Sequence, residues 1–164
     1  MFARSDQSII IYIPEEKTFE NVTINTGVGV VNIDSLFANN LELHLGIGDV
    51  RLSELVITSN ADIQGGIGRL RIESGSIENL SLRTGIGESI IGAKITGNSS
   101  IDGGIGSVEL TLTGGEEDDY RITTQTGLGT ITINGERQRN GTFGRGDNNI
   151  SVNGGVGSIT IRTD

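Results

Sequence analysis

The chain has no cysteine, no tryptophan, one proline and one histidine, and aromatic residues make up only 4% of it. Each shortage excludes something. Without cysteine there is no disulfide framework and no Cys-based zinc site. With one proline and no glycine period of three, the chain is not collagen-like. Basic residues are scarce too: 12 Lys and Arg stand against 21 Asp and Glu, a formal charge of −9. A nucleic-acid partner needs a basic stripe to neutralise phosphates, and the sequence has none. Binding to an anionic membrane surface is disfavoured for the same reason. The longest apolar run, Ile9–Ile13, is far short of the roughly 20 residues that cross a bilayer as a helix, so no direct membrane insertion is expected.

What the chain has in excess is glycine, 26 of 164 residues. Glycine is placed periodically. A Gly-x-Gly unit with an aliphatic centre recurs seven times: Gly27-Val28-Gly29, Gly46-Ile47-Gly48, Gly66-Ile67-Gly68, Gly85-Ile86-Gly87, Gly104-Ile105-Gly106, Gly127-Leu128-Gly129 and Gly155-Val156-Gly157. The first glycines are separated by 19, 20, 19, 19, 23 and 28 residues. A fixed period of this length is the signature of a solenoid. The two long intervals hold loop insertions at 113–119, with the acidic run Glu116–Asp119, and at 134–148.

Aligning the copies exposes alternation of period two on both sides of the glycines. After them come Val31/Ile33, Val50/Leu52, Leu70/Ile72, Ser89/Ile91, Val108/Leu110, Ile131/Ile133 and Ile159/Ile161, with polar residues between. Before them come Val22/Ile24, Leu41/Leu43, Ala61/Ile63, Leu80/Leu82, Ser99/Ile101, Ile122/Thr124 and Ile150/Val152. Each is a strand with one buried face. A third apolar patch, Leu36, Leu55 with Ile57, Ile77 and Ile95, lies between coils. Six residues before the first glycine stands an asparagine: Asn21, Asn40, Asn60, Asn79, Asn98 and Asn149, with Arg121 the one departure. Stacked corners would let these amides hydrogen-bond as a ladder, and asparagine suits the left-handed backbone of a corner.

One coil of about 19 residues cannot bury enough hydrocarbon to offset the ordering of its backbone, so coils must stack. The expected fold is all-β: a single-stranded parallel β-helix, or β-solenoid, of about seven coils, right-handed and roughly triangular in section. It forms one domain over 1–164, with residues 1–20 as a starting and capping coil. The Gly-x-Gly centres are expected to point inward, so that Ile67→Asp would unfold the middle coils. The last inward pair, Ile159/Ile161, is expected at an end of the stack with no obvious cap: either the long insertions fold over that end, or it is a self-association surface, which makes a homo-oligomer a candidate assembly.

The unit N-[aliphatic]-x-[aliphatic]-x-[T/G]-G-[aliphatic]-G-x-[aliphatic]-x-[aliphatic] resembles a bacterial family of unknown function labelled adhesin, built of Gly-x-Gly β-helix coils in cell-envelope proteins. The lead-in Ile11-Tyr12-Ile13-Pro14-Glu15 and the stretch Tyr120-Arg121-Ile122 are similar to it as well. The resemblance implies an extracytoplasmic location and a cell-surface glycan or protein as partner. It implies no catalytic residues.

The search for chemistry points the same way. G-x-G-x-x-G and G-x-x-x-x-G-K-[ST] are absent, which removes the phosphate-loop reading of the glycines. A calcium β-roll would need Asp where Leu70, Val108 and Ile159 stand. His44 occupies an outward position. Among outward acids (Glu42, Asp49, Asp62, Glu73, Glu88, Asp102), Glu42 and Asp62 share a column on adjacent coils, roughly 5 Å apart, the separation of a retaining glycosidase pair. No aromatic platform for a sugar accompanies them. The expectation is therefore a non-enzymatic adhesion or scaffold module with no catalytic, cofactor or metal site, against a self-assembling structural element and a carbohydrate-active enzyme.

Overall fold

A computed structural model describes residues 9–14 and 17–163. Fourteen strands form one sheet system wound on itself. The first four are β1 (Thr18–Asn25), β2 (Val28–His44), β3 (Ile47–Gln64) and β4 (Ile67–Glu78). Next come β5 (Leu80–Arg83), β6 (Ile86–Thr96), β7 (Asn98–Asp102) and β8 (Ile105–Leu112). The last six are β9 (Tyr120–Gln125), β10 (Thr130–Ile133), β11 (Glu136–Gln138), β12 (Gly141–Phe143), β13 (Asn148–Asn153) and β14 (Val156–Thr163). The chain is an all-β parallel solenoid.

Two parallel ladders meet at the glycine corners. The upstream ladder stacks the segments that precede Gly-x-Gly, and the downstream ladder those that follow. Registers are in step, so Asn40 pairs with Asn60, Leu43 with Ile63 and Ile47 with Ile67. The inward pairs of every layer after the first fall in the core, where Leu43, Leu52, Ile63, Ile72, Leu82 and Ile161 are fully buried. Leu36, Leu55, Ile57, Ile77 and Ile95 close its third side. The corners need glycine because successive layers touch there: a Cβ on Gly46 would collide with the Gly27 carbonyl oxygen, and one on Gly48, where φ is +136°, with that of Gly29. Two of the inward polar side chains have partners. Ser99 Oγ accepts a hydrogen bond from the Leu80 amide at 3.0 Å, and Thr124 Oγ1 donates to the Arg139 carbonyl at 2.7 Å.

Three expectations are corrected. The stack is not seven sequential coils. About five turns wind in order, after which the last two copies exchange places: β13 lies between β7 and β9, and β14 between β8 and β10. The pair Ile159/Ile161 is therefore interior, and the layer of β9 and β10 forms the end. That end is covered, because β12 pairs antiparallel with β9 and β11 antiparallel with β10. The reason is visible in the side chains. The seventh copy continues the pattern of the fifth, with Asn149 Nδ2 donating to Asn98 Oδ1 at 3.0 Å. The sixth copy, with Arg121 in place of asparagine and Thr124 facing inward, is the poorer stacking partner and takes the end.

Second, Ile9–Ile13 forms no strand and stands exposed, with Tyr12 89% accessible, so these residues do not cap the first layer; Thr18–Glu20 open β1 and belong to that layer, and the parts of the expectation that fall on residues 1–8 and 15–16 lie outside the described residues. Phe19, Val22, Ile24, Val31 and Ile33 of the first layer are accordingly only partly buried. Third, the Gly-x-Gly centres point outward: Ile67 is 51% exposed. Side chains alternate along a strand. With Leu70 and Ile72 buried, Ile67 has the same parity as Arg69 and Arg71, on the outer face.

Candidate functional site

In-register stacking turns each outward position into a vertical column of side chains. The columns of the upstream ladder are polar. One contains Glu42 and Asp62, which pair in register on adjacent strands. His44 Nε2 lies 2.8 Å from Glu42 Oε1, and Arg83 Nη1 lies 4.0 Å from Asp62 Oδ2. Asp62 Oδ1 is buried without a hydrogen-bond partner. The structure thus sets the two acids side by side in register on an open sheet face, each turned to its own basic neighbour.

The asparagine column forms a broken ladder. Asn40 Nδ2 donates to Asn21 Oδ1 at 3.1 Å, and Asn60 Nδ2 to Asn40 Oδ1 at 3.2 Å. At Asn79, where φ is 50°, the amide turns to the Ser59 carbonyl, and its Oδ1 accepts from the Asn98 backbone N–H at 2.9 Å. Of the ladder asparagines only Asn79 has positive φ. Side-chain hydrogen bonding along the stack, rather than left-handed backbone, is what these residues supply.

The downstream face differs. Its first column is Val28, Ile47, Ile67, Ile86, Ile105 and Val156, paired in register from layer to layer. The four isoleucines are 50–54% exposed, and Val28, at the open end, 84%. The result is an aliphatic ridge about 24 Å long, five layer spacings of about 4.8 Å. Sequence reasoning missed this site, although parity across Gly68 carried the signal. Beside the ridge run charged columns. Arg69 Nε lies 3.3 Å from Glu88 Oε2 and its Nη1 4.0 Å from Asp49 Oδ2, Arg51 Nη2 lies 2.8 Å from Glu73 Oε1, and Arg162 pairs with Glu109. All are well exposed, which limits their contribution to stability.

The family comparison bears on the fold. Residues 1–162 match Toastrack DUF4097. The chain belongs to this family. No curated protein and no solved structure matches it. The Toastrack domain is functionally uncharacterised, so the site must be read from its own geometry.

Two further features complete the surface. The acidic run forms a short 3-10 turn, Glu117–Asp119, and no group of three or more metal-ligating side chains occurs among the described residues. Behind it Tyr120 is buried; burial first, and the Asp119 carboxylate second, push its hydroxyl above the ordinary value of 10.0, against a backbone hydrogen bond at Ile95. At the capped end a cavity of about 440 Å³ opens between the Thr126–Gly129 corner and the β11 strand, lined by Arg137, Gln138 and Arg139.

Proposed function

We propose that this Toastrack domain is a non-enzymatic binding and scaffold module of the cell envelope, and that its working surface is the ridge face. One observation carries the reading: the ridge is aliphatic in six registered layers, whereas no other column on the outer faces of the two ladders is aliphatic throughout. Stacking favours like residues in a column but does not require them to be apolar where water reaches them. A long, contiguous apolar strip on a rigid sheet suits an extended partner of shallow relief. The envelope location is part of the proposal, supported only by the resemblance of the repeat, and a surface glycan or protein is the partner class that goes with it.

Capture of cell-wall glycans and matrix proteins by the immobilised chain tests this. Binding should be lost in Ile67→Lys/Ile86→Lys while the melting temperature is kept. No capture at high micromolar ligand, or capture indifferent to those substitutions, would overturn it. The competing reading, a carbohydrate-active enzyme, draws support from the registered pair Glu42 and Asp62 and the unpartnered Asp62 oxygen. It requires glycan turnover that Glu42→Gln abolishes.

A further inference from the structure

We infer that the partner of the ridge face is a second copy of this chain, packed downstream face to downstream face and antiparallel, about a two-fold axis between Ile67 and Ile86. The inference rests on the reading of that face as a binding surface and names its occupant. In this arrangement each outward column meets itself reversed, so that the first layer faces the sixth, the second the fifth and the third the fourth.

The columns satisfy that condition. Over the first six layers the ridge runs Val, Ile, Ile, Ile, Ile, Val and reads alike in both directions, while Leu128, 87% exposed in the end layer, lies beyond the paired layers. Ile67 therefore meets Ile86, Ile47 meets Ile105 and Val28 meets Val156. In the next column Arg69 faces Glu88, and in the one beyond Arg51 faces Glu109. Neither column sets like charges against each other. Over these six layers the two columns beside the ridge have three acids (Asp49, Glu88, Glu109) and three bases (Arg51, Arg69, Arg71), and the next column adds Asp34, Glu73 and Arg162, so the face is close to neutral although the chain as a whole has −9. It is thus a surface on which copies can approach without the repulsion their charge imposes elsewhere. The face measures about 24 Å by about 17 Å, roughly 400 Å² on each copy, less than stable interfaces bury, so the dimer is weak and depends on concentration.

Sedimentation velocity on the full chain across low to high micromolar concentration is the test. The wild type should shift from monomer to dimer, and Ile67→Lys should stay monomeric with an unchanged melting temperature. Arg51→Glu and Glu109→Arg should each weaken the dimer about tenfold, and the double exchange should restore it. Within one chain these residues lie three layers apart, about 14 Å, too far to couple. Restoration therefore reports a contact between copies. A wild type monomeric throughout, a dimer indifferent to Ile67→Lys, or a double exchange without rescue overturns the dimer. If the wild type is monomeric but Ile67→Lys/Ile86→Lys still abolishes capture of a glycan or protein, the dimer fails and the binding reading stands. If those substitutions change neither assembly nor capture, or if they lower the melting temperature by many degrees, the ridge is a structural ladder and both fail.

Discussion

The exchange of the last two layers can be tested by covalent geometry. Ser100 pairs in register with Ser151, and Ser151 in turn with Thr123. Adjacent layers lie about 4.8 Å apart and alternate layers about 9.6 Å. A disulfide accepts Cα separations up to roughly 7 Å. Ser100→Cys/Ser151→Cys should therefore oxidise readily, and Ser100→Cys/Thr123→Cys should not. The chain has no cysteine of its own, so the readout is clean. Gel mobility without reductant and peptide mass mapping would report the bond. The loop closed spans about 50 residues, and in the chain-entropy picture the link adds up to about 4 kcal/mol of stability. The reduced double variant should lose little, because Ser151 is exposed and Ser100 only half-buried. If the 100–123 pair closes and the 100–151 pair does not, the layers follow chain order and the interposed coil is wrong.

Ile63→Asp should abolish folding, since it places an unpaired charge in the core, whereas Ile67→Asp should cost less than about 1 kcal/mol; far-ultraviolet dichroism of the two separates them. Asn60→Ala removes the bond to Asn40 and should lower stability by about 0.5–1 kcal/mol, read from the denaturant midpoint; no shift would mean the ladder is energetically idle. Tyr120 has a folded pKa above its ordinary 10.0, so its contribution is present below that pH and is lost as pH rises from there through the folded value. The melting temperature should fall above about pH 10, and Tyr120→Phe should remove that part of the fall.

Much of the fold was legible because in-register parallel stacking makes local information sufficient. If each layer repeats its neighbour, the parity of one strand fixes the inward set of all. Leu43, Ile63, Leu82 and Ile101 needed no tertiary knowledge to be placed in one column. The same rule, applied across Gly68, puts Ile67 outside. The candidate surface is thus encoded locally, by parity, while the hydrophobicity of its residues argues for the interior. The Asn column was legible as a column, but its backbone conformation was not, since extended strands accommodate all of its members except Asn79.

The sequence alone determined which side chains face inward and where the layers bend, because alternation and steric contact at a corner act over a few residues. Which layer sits on which was decided only in three dimensions. The sixth and seventh copies carry the same strand pattern, and the difference between them, Asn149 against Arg121, takes effect only once layers are stacked. The choice falls to the whole assembly: the copy that best extends the Asn and aliphatic columns fills the interior, and the other lies where the β11 and β12 strands can cover its exposed edges.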